Sequence, residues 1–469
     1  MSQDPISRAA RAAQKHLAGA RELPVTGPAR AVDLERHLDA AYRFDAPMDA
    51  EKVNDDVAAM LRRGAVHASH PAYFGMFDPS VLPSSVAAST LIAAFDPQAA
   101  SWSHAPAALA MEQHALRWLA ARLGYDPRAS AAHFTSGGQE ANTEAIVVAL
   151  THAFPEVRAG GVRALPGDPV IYVSAEGHPS VEKAAHVAGI GRGAVRRVAV
   201  DEKLRMDAAA LAREIAADRA AGRAPFVVVA TCGATSSGAI DPLPAIAELC
   251  ARERLWMHCD AAWGGAAVLS DRLRPCLRGI EQADSIAWDA HKWLAVPLGA
   301  GMLFTRRPDA LRAAFATESA YMPSSPPARP DPFTVSHQWS RRAAGVSLFA
   351  ALAELGAEGY ARMIDAMTER GDSLRAKLRT AGFRVVNDTP LPLVCFTHPA
   401  IESGSISSGE LARKVRARGR AFLVATVLAS GDRVVRACIT NHRTEERDLD
   451  TLIDELRAAM RGGLPASSP

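Results

Sequence analysis

One lysine stands inside an apolar run where a charged side chain is unexpected. Lys292 lies between His291 and Trp293 in the stretch SIAWDAHKWLAVPLGAGMLF. Burial favours the neutral form of an amine, and a neutral amine is a nucleophile that can form a Schiff base with an aldehyde. For this residue taken alone, a lysine at a strand end that extends its ammonium group to water is the simpler interpretation.

An acidic residue with possible chemistry follows a short hydrophobic run. Asp260 lies in LWMHCDAAWGGA, after the run and before small residues. Ligands of α/β sheets bind at the carboxyl ends of strands, and a carboxylate there can keep a pyridinium nitrogen protonated, so that the ring accepts electrons. Asp260 alone fits a helix N-cap equally well.

Two further segments place ligand-binding groups at strand ends. Ser136, Gly137 and Gly138 form the turn of a strand-turn-helix pattern, AAHFTSGGQEANTEAIVVAL, where backbone N–H groups and the helix dipole can bind a phosphate. His178 follows the strand-like run VIYVSA, where an imidazole can stack on a flat heteroaromatic ring. Each segment alone is also compatible with an ordinary turn.

The four segments occur in one order along the chain: a phosphate cradle, a ring-stacking histidine, a partner for a ring nitrogen and a lysine. Four independent coincidences at successive strand ends are not expected by chance. Together these segments predict a binding site for pyridoxal 5'-phosphate (PLP), with Lys292 as its Schiff-base lysine and Asp260 at the ring nitrogen.

The elements that position these residues follow from the hydrophobic pattern. From about Pro71 to Pro308, short β-branched runs such as APFVVVAT alternate with helix-period stretches such as LPAIAELCARERL. This alternation predicts an α/β sheet of mostly parallel strands covered by helices.

The flanking segments have different patterns. Residues 5–20 predict an amphipathic helix, LPVTGPAR an extended strap, and Leu34–Arg63 a second helix. Residues 321–338 predict a long proline-rich loop. Helices through Arg379, strand-like runs at FRVVN, PLPLVCFTH, RAFLVATVL and RVVRACIT, and a helix over about 445–461 predict a smaller C-terminal α+β domain.

Composition limits the classes of partner. The 469 residues include 53 basic and 51 acidic side chains, so no strong field draws nucleic acid or an anionic membrane, and a small molecule is the expected partner. The six cysteines are scattered without a CxxC pair, which favours reduced, buried thiols and no metal site. We find neither a secretory h-region nor an apolar stretch of 18 residues, so a cytoplasmic location is the default.

At this point the sequence resembles a known family, the group II PLP-dependent amino acid decarboxylases of fold type I, which includes aromatic-L-amino-acid, glutamate and cysteine sulfinate decarboxylases. The likeness covers about residues 5–460, and its most specific pieces are HPAYFGMF, TSGGQEAN, HPSVEKAA, HCDAAWGGA and DSIAWDAHKW. It implies the PLP-dependent transferase fold: an N-terminal helical segment (1–70), a large PLP-binding α/β domain (71–315) and an active-site loop with a small C-terminal α+β domain (316–469).

The resemblance also implies roles for individual residues. Lys292 would carry the cofactor, Asp260 would bind its pyridine nitrogen and His178 would stack on its ring, and these three are the expected catalytic residues. The other expected cofactor contacts are Ser136, Gly137, Gly138, Gln139, Thr235, Ala262, Asp289 and His291. Gly138 and Gln139 correspond to the family's phosphate-binding pair, with Gln139 acting through its backbone N–H.

Two substrate contacts are expected at the edge of the site. Arg436 is a candidate for the substrate carboxylate because a guanidinium fork suits a carboxylate, although an outward arginine on a final strand is about as compatible with the sequence. Phe77 is the second candidate. The motifs leave open whether the substrate is acidic or aromatic.

The implied reaction is decarboxylation of an L-amino acid to its amine and CO2. Family decarboxylases commonly have a loop tyrosine where this chain has Pro332 and Phe333, and phenylalanine cannot donate a proton. Oxidative decarboxylation-deamination to an aldehyde is therefore an alternative, unless Tyr321 or His337 supplies the proton. An aminotransferase or carbon-carbon lyase on the same scaffold is also open, and a non-catalytic PLP-binding protein is the least favoured. The resemblance further implies a homodimer with active sites at the interface.

Overall fold

The computed structural model describes residues 4–317 and 329–461. The helices are α1 Pro5–Ala18, α2 Ala31–Ala41, α3 Ala50–Gly64, α4 Pro83–Phe95, α5 Pro106–Arg122, α6 Gly138–Ala153, α7 Val157–Gly160, α8 Ser180–Val187, α9 Ala208–Ala220, α10 Leu243–Glu253, α11 Pro308–Phe315, α12 Gly345–Thr380, α13 Pro399–Glu402, α14 Ser408–Ala417 and α15 Glu446–Met460. The strands are β1 Ala131–Thr135, β2 Pro169–Ser174, β3 Val195–Val198, β4 Ala224–Thr231, β5 Trp256–Asp260, β6 Ser285–Asp289, β7 Gly301–Thr305, β8 Arg384–Val385, β9 Leu393–Thr397, β10 Val424–Val427 and β11 Arg433–Cys438.

The large sheet has the order β1-β7-β6-β5-β4-β2-β3, and β7 is its reversed strand, since it pairs antiparallel with both β1 and β6. The remaining pairs, β2 with β3 and β4, β4 with β5, and β5 with β6, are parallel. The predicted α/β fold with a mostly parallel sheet is therefore confirmed.

Both faces of this sheet are buried, which explains its hydrophobic strands. Along β4, Val228 and Ala230 pack into one hydrophobic core, while Val227 and Val229 pack into another on the opposite face. Helix α6 covers the second face with Ala141, Ala145 and Ile146 among its buried residues. This packing places the first turn of α6 beside the carboxyl ends of β5 and β6.

The N-terminal segment differs from its prediction in one place. Helix α1 agrees with the predicted amphipathic helix, but the single helix expected over Leu34–Arg63 is wrong, because α2 and α3 are separate. Between them Phe44 has a φ of 58°, and Asp49 caps α3 by accepting the N–H groups of Glu51 and Lys52. A left-handed residue followed by a strong N-cap ends one helix and begins the next.

The C-terminal region contains a second, antiparallel sheet of order β10-β11-β9-β8, which confirms the four predicted strand-like runs. The closing helix α15 also agrees with its prediction. Within α12, Gly356 has a φ of 61° and divides two helical stretches, as the sequence predicted. The division into domains at residues 70 and 315 stays a prediction.

Part of the predicted proline-rich loop lies outside the described residues, including Tyr321. In the described part, Pro332–Thr334 form a 3-10 turn, and Phe333 is buried against Trp339 with ring centroids 4.8 Å apart. None of the described helices has the length and apolar character needed to cross a bilayer. All six cysteines are free; five are buried, whereas Cys276 is partly exposed.

The chain after this loop is held by a buried ion pair, and this arrangement yields a prediction. Arg341 donates to both carboxylate oxygens of Glu112 at 2.7 and 3.1 Å, and both side chains are at most 3% exposed. Arg341→Met leaves a buried charge without its partner, so we expect a loss of about 3–5 kcal/mol in the free energy of unfolding, measured by chemical denaturation. Arg362→Met removes an exposed pair with Glu358 and is expected to change stability little. Equal losses in the two variants would contradict this interpretation.

Candidate active site

A small cavity lies at the carboxyl ends of the central strands. Its walls come from the turns after β2, β4, β5 and β6 and from the first turn of α6. Eight of the predicted site residues line it: Gly138, Gln139, His178, Thr235, Asp260, Ala262, Asp289 and Lys292. Residues far apart in sequence thus meet at one point, as the carboxyl-end rule for α/β sheets predicts.

Lys292 reaches this cavity from the turn after β6. Its Nζ lies 3.0 Å from Oδ2 of Asp289, and the Lys292 side chain is 26% exposed. His291 Nε2 is 3.7 Å from the same oxygen, and burial lowers the pKa of His291. Asp289 therefore balances the lysine charge at the cavity wall, and His291 lies behind this pair rather than in the lining.

Asp260 is the last residue of β5 and is 8% exposed. Its Oδ2 accepts a hydrogen bond of 2.9 Å from Asn142 Nδ2, and its Oδ1 accepts one of 3.1 Å from the backbone N–H of Ala262. A buried carboxylate requires such donors, because water no longer solvates it. Asp260 is not a helix N-cap, because the next helical segment, the 3-10 helix Gly264–Leu269, has Trp263 at its N-cap position.

His178 enters the cavity from the turn that precedes α8. Its Nδ1 accepts the backbone N–H of Ser180 at 3.1 Å, so the remaining ring proton of a neutral imidazole lies on Nε2. Burial lowers the pKa of His178 and favours this neutral ring. A neutral, fixed imidazole is suited to contact with a flat aromatic ligand.

The predicted phosphate cradle is present in part. Gly138 opens α6, and a Cβ atom on it would lie 3.0 Å from Asp289 Oδ2 and 3.1 Å from Ala262 Cβ, so a side chain would fill the cradle. The first-turn N–H groups of a helix have no partner within it. Ser136 does not line the cavity; its N–H and hydroxyl both donate to Glu140. Gly137 lies beside the lining, near His291.

Arg436 and Phe77 form a wall behind the lining. Arg436 is 3% exposed, so the alternative of an outward arginine is wrong. It donates to the carbonyl oxygens of Thr235 at 2.5 Å and Gly75 at 2.6 Å, and its Nε is buried without a partner among the described residues. Phe77 lies under this guanidinium and stacks on Trp263 at 4.6 Å.

His337, the candidate proton donor of the loop that lies within the described residues, is outside the cavity lining. His337 Nδ1 pairs with Glu144 at 2.8 Å, and this hydrogen bond raises the pKa of His337. Burial opposes ionisation of Glu144, but its pairs with His133 and His337 outweigh burial and lower its pKa to about 2. Neither His337 nor Phe333 is among the residues that line the cavity within this chain.

Five lining residues were not predicted: Asn142, Ser180, Thr231, Gly233 and Trp263. Asn142 and Trp263 lie inside the quoted motifs TSGGQEAN and HCDAAWGGA, and Asn142 is one helical turn after Gly138, which is the signal that could have identified it. Thr231 ends β4 and Gly233 follows it. In this part of the chain only Thr235 was predicted.

The cavity fits PLP by its own chemistry. It offers an amine for an aldehyde, a carboxylate for a ring nitrogen, an imidazole for a ring face and a helix N-terminus for a phosphate. Two buried atoms, Asp289 Oδ1 and Thr231 Oγ1, have no hydrogen-bond partner among the described residues, as expected of groups that await a ligand.

Comparison with known proteins identifies the family. The model of the pyridoxal-dependent decarboxylase conserved domain matches residues 32–398, so the chain belongs to this family and the predicted resemblance is confirmed. Human cysteine sulfinic acid decarboxylase is 33% identical over 62% of this chain and 58% of its own length. The aromatic-L-amino-acid decarboxylase of Bacillus atrophaeus is 28% identical over 84% and 82% of the two chains.

Among solved structures, mouse CSAD superposes with a TM-score of 0.88 at 26% identity, over 97% of this chain and 98% of that one. The sequence alignments with the human, rat and mouse cysteine sulfinic acid decarboxylases span 52–58% of those proteins. The likeness in fold thus covers 97% of this chain, whereas these three sequence alignments cover 55–62% of it.

The tight approach at Gly138 yields a prediction for cofactor binding. We expect Gly138→Ala to weaken PLP binding by on the order of 10-fold, because the added methyl group occupies the cradle. The measurement is titration of the apoprotein with PLP. Gly193→Ala is the matched control, since its Cβ would meet nothing within 4 Å. Unchanged affinity in Gly138→Ala would show that the phosphate binds elsewhere.

Proposed function

We propose that this protein is a PLP-dependent carboxy-lyase that converts an L-amino acid to the corresponding amine and CO2. The observation that carries the proposal is the meeting of Lys292, Asp260 and His178 with the first turn of α6 around one cavity. Membership of the pyridoxal-dependent decarboxylase family supports it.

The proposed roles follow from the position of each group. When bound, PLP supplies an electron sink for the pair left behind as the α-carboxylate departs. Lys292 would hold the cofactor aldehyde through Nζ, and Asp289 Oδ2 lies 3.0 Å from this nitrogen as its charge partner. Asp260 would keep a proton on the ring nitrogen, His178 would restrain the ring plane, and the Gly138 turn would anchor the phosphate. These are contributions of positioning and electrostatics.

Arg436 is proposed to bind a carboxylate of the substrate. Two of its nitrogens hold backbone carbonyls beside the cavity, while its Nε remains buried without a partner among the described residues. A guanidinium at this wall is suited to pairing with a carboxylate. Phe77 is proposed to shape the same pocket, since it lies between Arg436 and Trp263.

The aldehyde-forming alternative rested on Phe333. The Phe333 ring packs against Trp339, and the backbone N–H of Phe333 donates to the carbonyl oxygen of Ala100. Within this chain the ring is part of this packing and not of the cavity lining. Decarboxylation remains the proposal, and aldehyde formation, amino transfer or carbon-carbon cleavage becomes an outcome of product analysis.

We also propose a homodimer with active sites at the interface and a cytoplasmic location. Helices α1, α2 and α3 have no buried residue within this chain. Ile6 of α1 and Leu61 of α3 are 63 and 65% exposed, and Phe44, in the connection between α2 and α3, is 89% exposed. An exposed apolar surface of this extent is typical of an interaction site. The six free cysteines suit a reducing compartment.

Product analysis tests the proposed reaction. The holoenzyme is incubated with acidic and aromatic L-amino acids while CO2, ammonia and peroxide are measured. We expect CO2 with the amine and without ammonia or peroxide, and the active amino acid names the substrate class. Ammonia and peroxide together with CO2 would indicate the oxidative reaction, and a requirement for an oxo acid would indicate an aminotransferase; either would contradict the proposal.

The proposed dimer has its own test. Leu61→Glu places a charge on the exposed face of α3, so we expect monomer at concentrations where the parent chain is a dimer, by analytical ultracentrifugation. Val187→Glu, at an equally exposed apolar residue of α8, is the control and should remain dimeric. Deletion of residues 1–30 would remove α1, which belongs to the same exposed surface. We expect this deletion to give monomer or aggregate. A Leu61→Glu protein that stays dimeric would place the interface elsewhere.

A further inference from the structure

Three polar or partly polar side chains follow one face of strand β5. Trp256, His258 and Asp260 alternate with Met257 and Cys259, which face the opposite core. Trp256 packs into the core that α6 covers, and His258 is fully buried. Because a buried polar group without a hydrogen-bond partner costs free energy, we expect each of these side chains to have a partner in this core.

A continuous chain of hydrogen bonds joins them. Trp256 Nε1 donates to Ser285 Oγ at 2.8 Å, and Ser285 Oγ is 2.8 Å from His258 Nδ1. His258 Nε2 is 3.0 Å from Asn142 Oδ1, and Asn142 Nδ2 donates to Asp260 Oδ2 at 2.9 Å. This series of hydrogen bonds therefore runs from Trp256, at the start of β5, to the Asp260 carboxylate at the cavity.

The chemistry of each group determines which atom donates and which accepts in this series of hydrogen bonds. The Asn142 amide nitrogen donates to Asp260 and also to Ser180 Oγ at 2.8 Å, so its oxygen must accept. His258 Nε2 must then carry the proton, and Nδ1 must accept from the Ser285 hydroxyl. This requires a neutral imidazole, and burial lowers the pKa of His258 to about 4, which agrees with that requirement.

Asn142 connects both sides of the cavity. One of its amide hydrogens reaches Asp260, and the other reaches Ser180, whose backbone N–H holds His178 Nδ1 at 3.1 Å. We propose that Asn142 is a positioning residue that orients Asp260 and the His178 turn together, and that His258 fixes the orientation of its amide. This inference rests on the proposed contact of Asp260 with the ring nitrogen.

The test separates positioning from packing. Asn142→Ala is expected to weaken PLP binding to the apoprotein by roughly 10- to 100-fold, as for loss of a hydrogen bond to a charged group, and to shift the pH dependence of the cofactor absorption band. Asn441→Ala is the matched control, because Asn441 is equally buried and donates to the carbonyl oxygens of Ala68 and His70, away from the cavity. It should lower the thermal midpoint of the apoprotein while leaving the affinity for PLP unchanged.

A second pair of variants covers the case in which Asn142→Ala does not fold. His258→Gln retains an N–H donor toward Asn142, whereas His258→Leu removes it, so we expect PLP affinity to be largely retained in the first and lost in the second. Failure of the parent chain to bind PLP would overturn the proposed function and this inference with it. Normal binding by the parent with unchanged affinity in Asn142→Ala, or equal affinity in the two His258 variants, would overturn this inference alone.

Discussion

A carboxylate placed at the end of a fully buried strand has to be compensated by donors from the protein, and Asp260 is that carboxylate. Two hydrogen bonds hold it, one from the amide of Asn142 and one from the backbone of Ala262. The first requires α6 to pass over β5, and the second requires the chain to turn sharply after Asp260. The packing of α6 on the sheet and the geometry of the strand ends are thus linked through a single side chain.

The same packing positions the other groups of the site. The first turn of α6 brings Gly138 so close to Asp289 that an added Cβ would lie 3.0 Å from Oδ2, while Asp289 lies at the end of β6 and pairs with Lys292. β5 and β6 are parallel neighbours, so their carboxyl ends deliver Asp260 and the lysine turn to one edge. Strand β7 pairs antiparallel with both β1 and β6, so β1 runs parallel to β6. The carboxyl end of β1, which precedes the cradle, therefore lies at the same end of the sheet as those of β5 and β6.

Much of this arrangement could be predicted from the sequence because it depends on local patterns. Alternating β-branched runs and helix-period stretches gave the α/β sheet, and small residues after hydrophobic runs marked the strand ends that carry Asp260 and Gly138. Contacts over long separations could not be predicted in this way. The bond of Asn142 to Asp260 joins residues 118 positions apart, and Ser136 was expected in the cradle although Glu140 accepts both of its donors. The break between α2 and α3 was missed because a left-handed residue at Phe44 has no periodic signature.

We propose that Lys292 is the residue that carries the cofactor. Reduction of the holoenzyme with borohydride, followed by proteolysis and mass spectrometry, would locate the pyridoxyl group covalently. We expect one pyridoxyl group per chain on the peptide that contains Lys292, and no stable label in Lys292→Ala. A label on another lysine, or no label in a protein saturated with PLP, would contradict the assignment of the site.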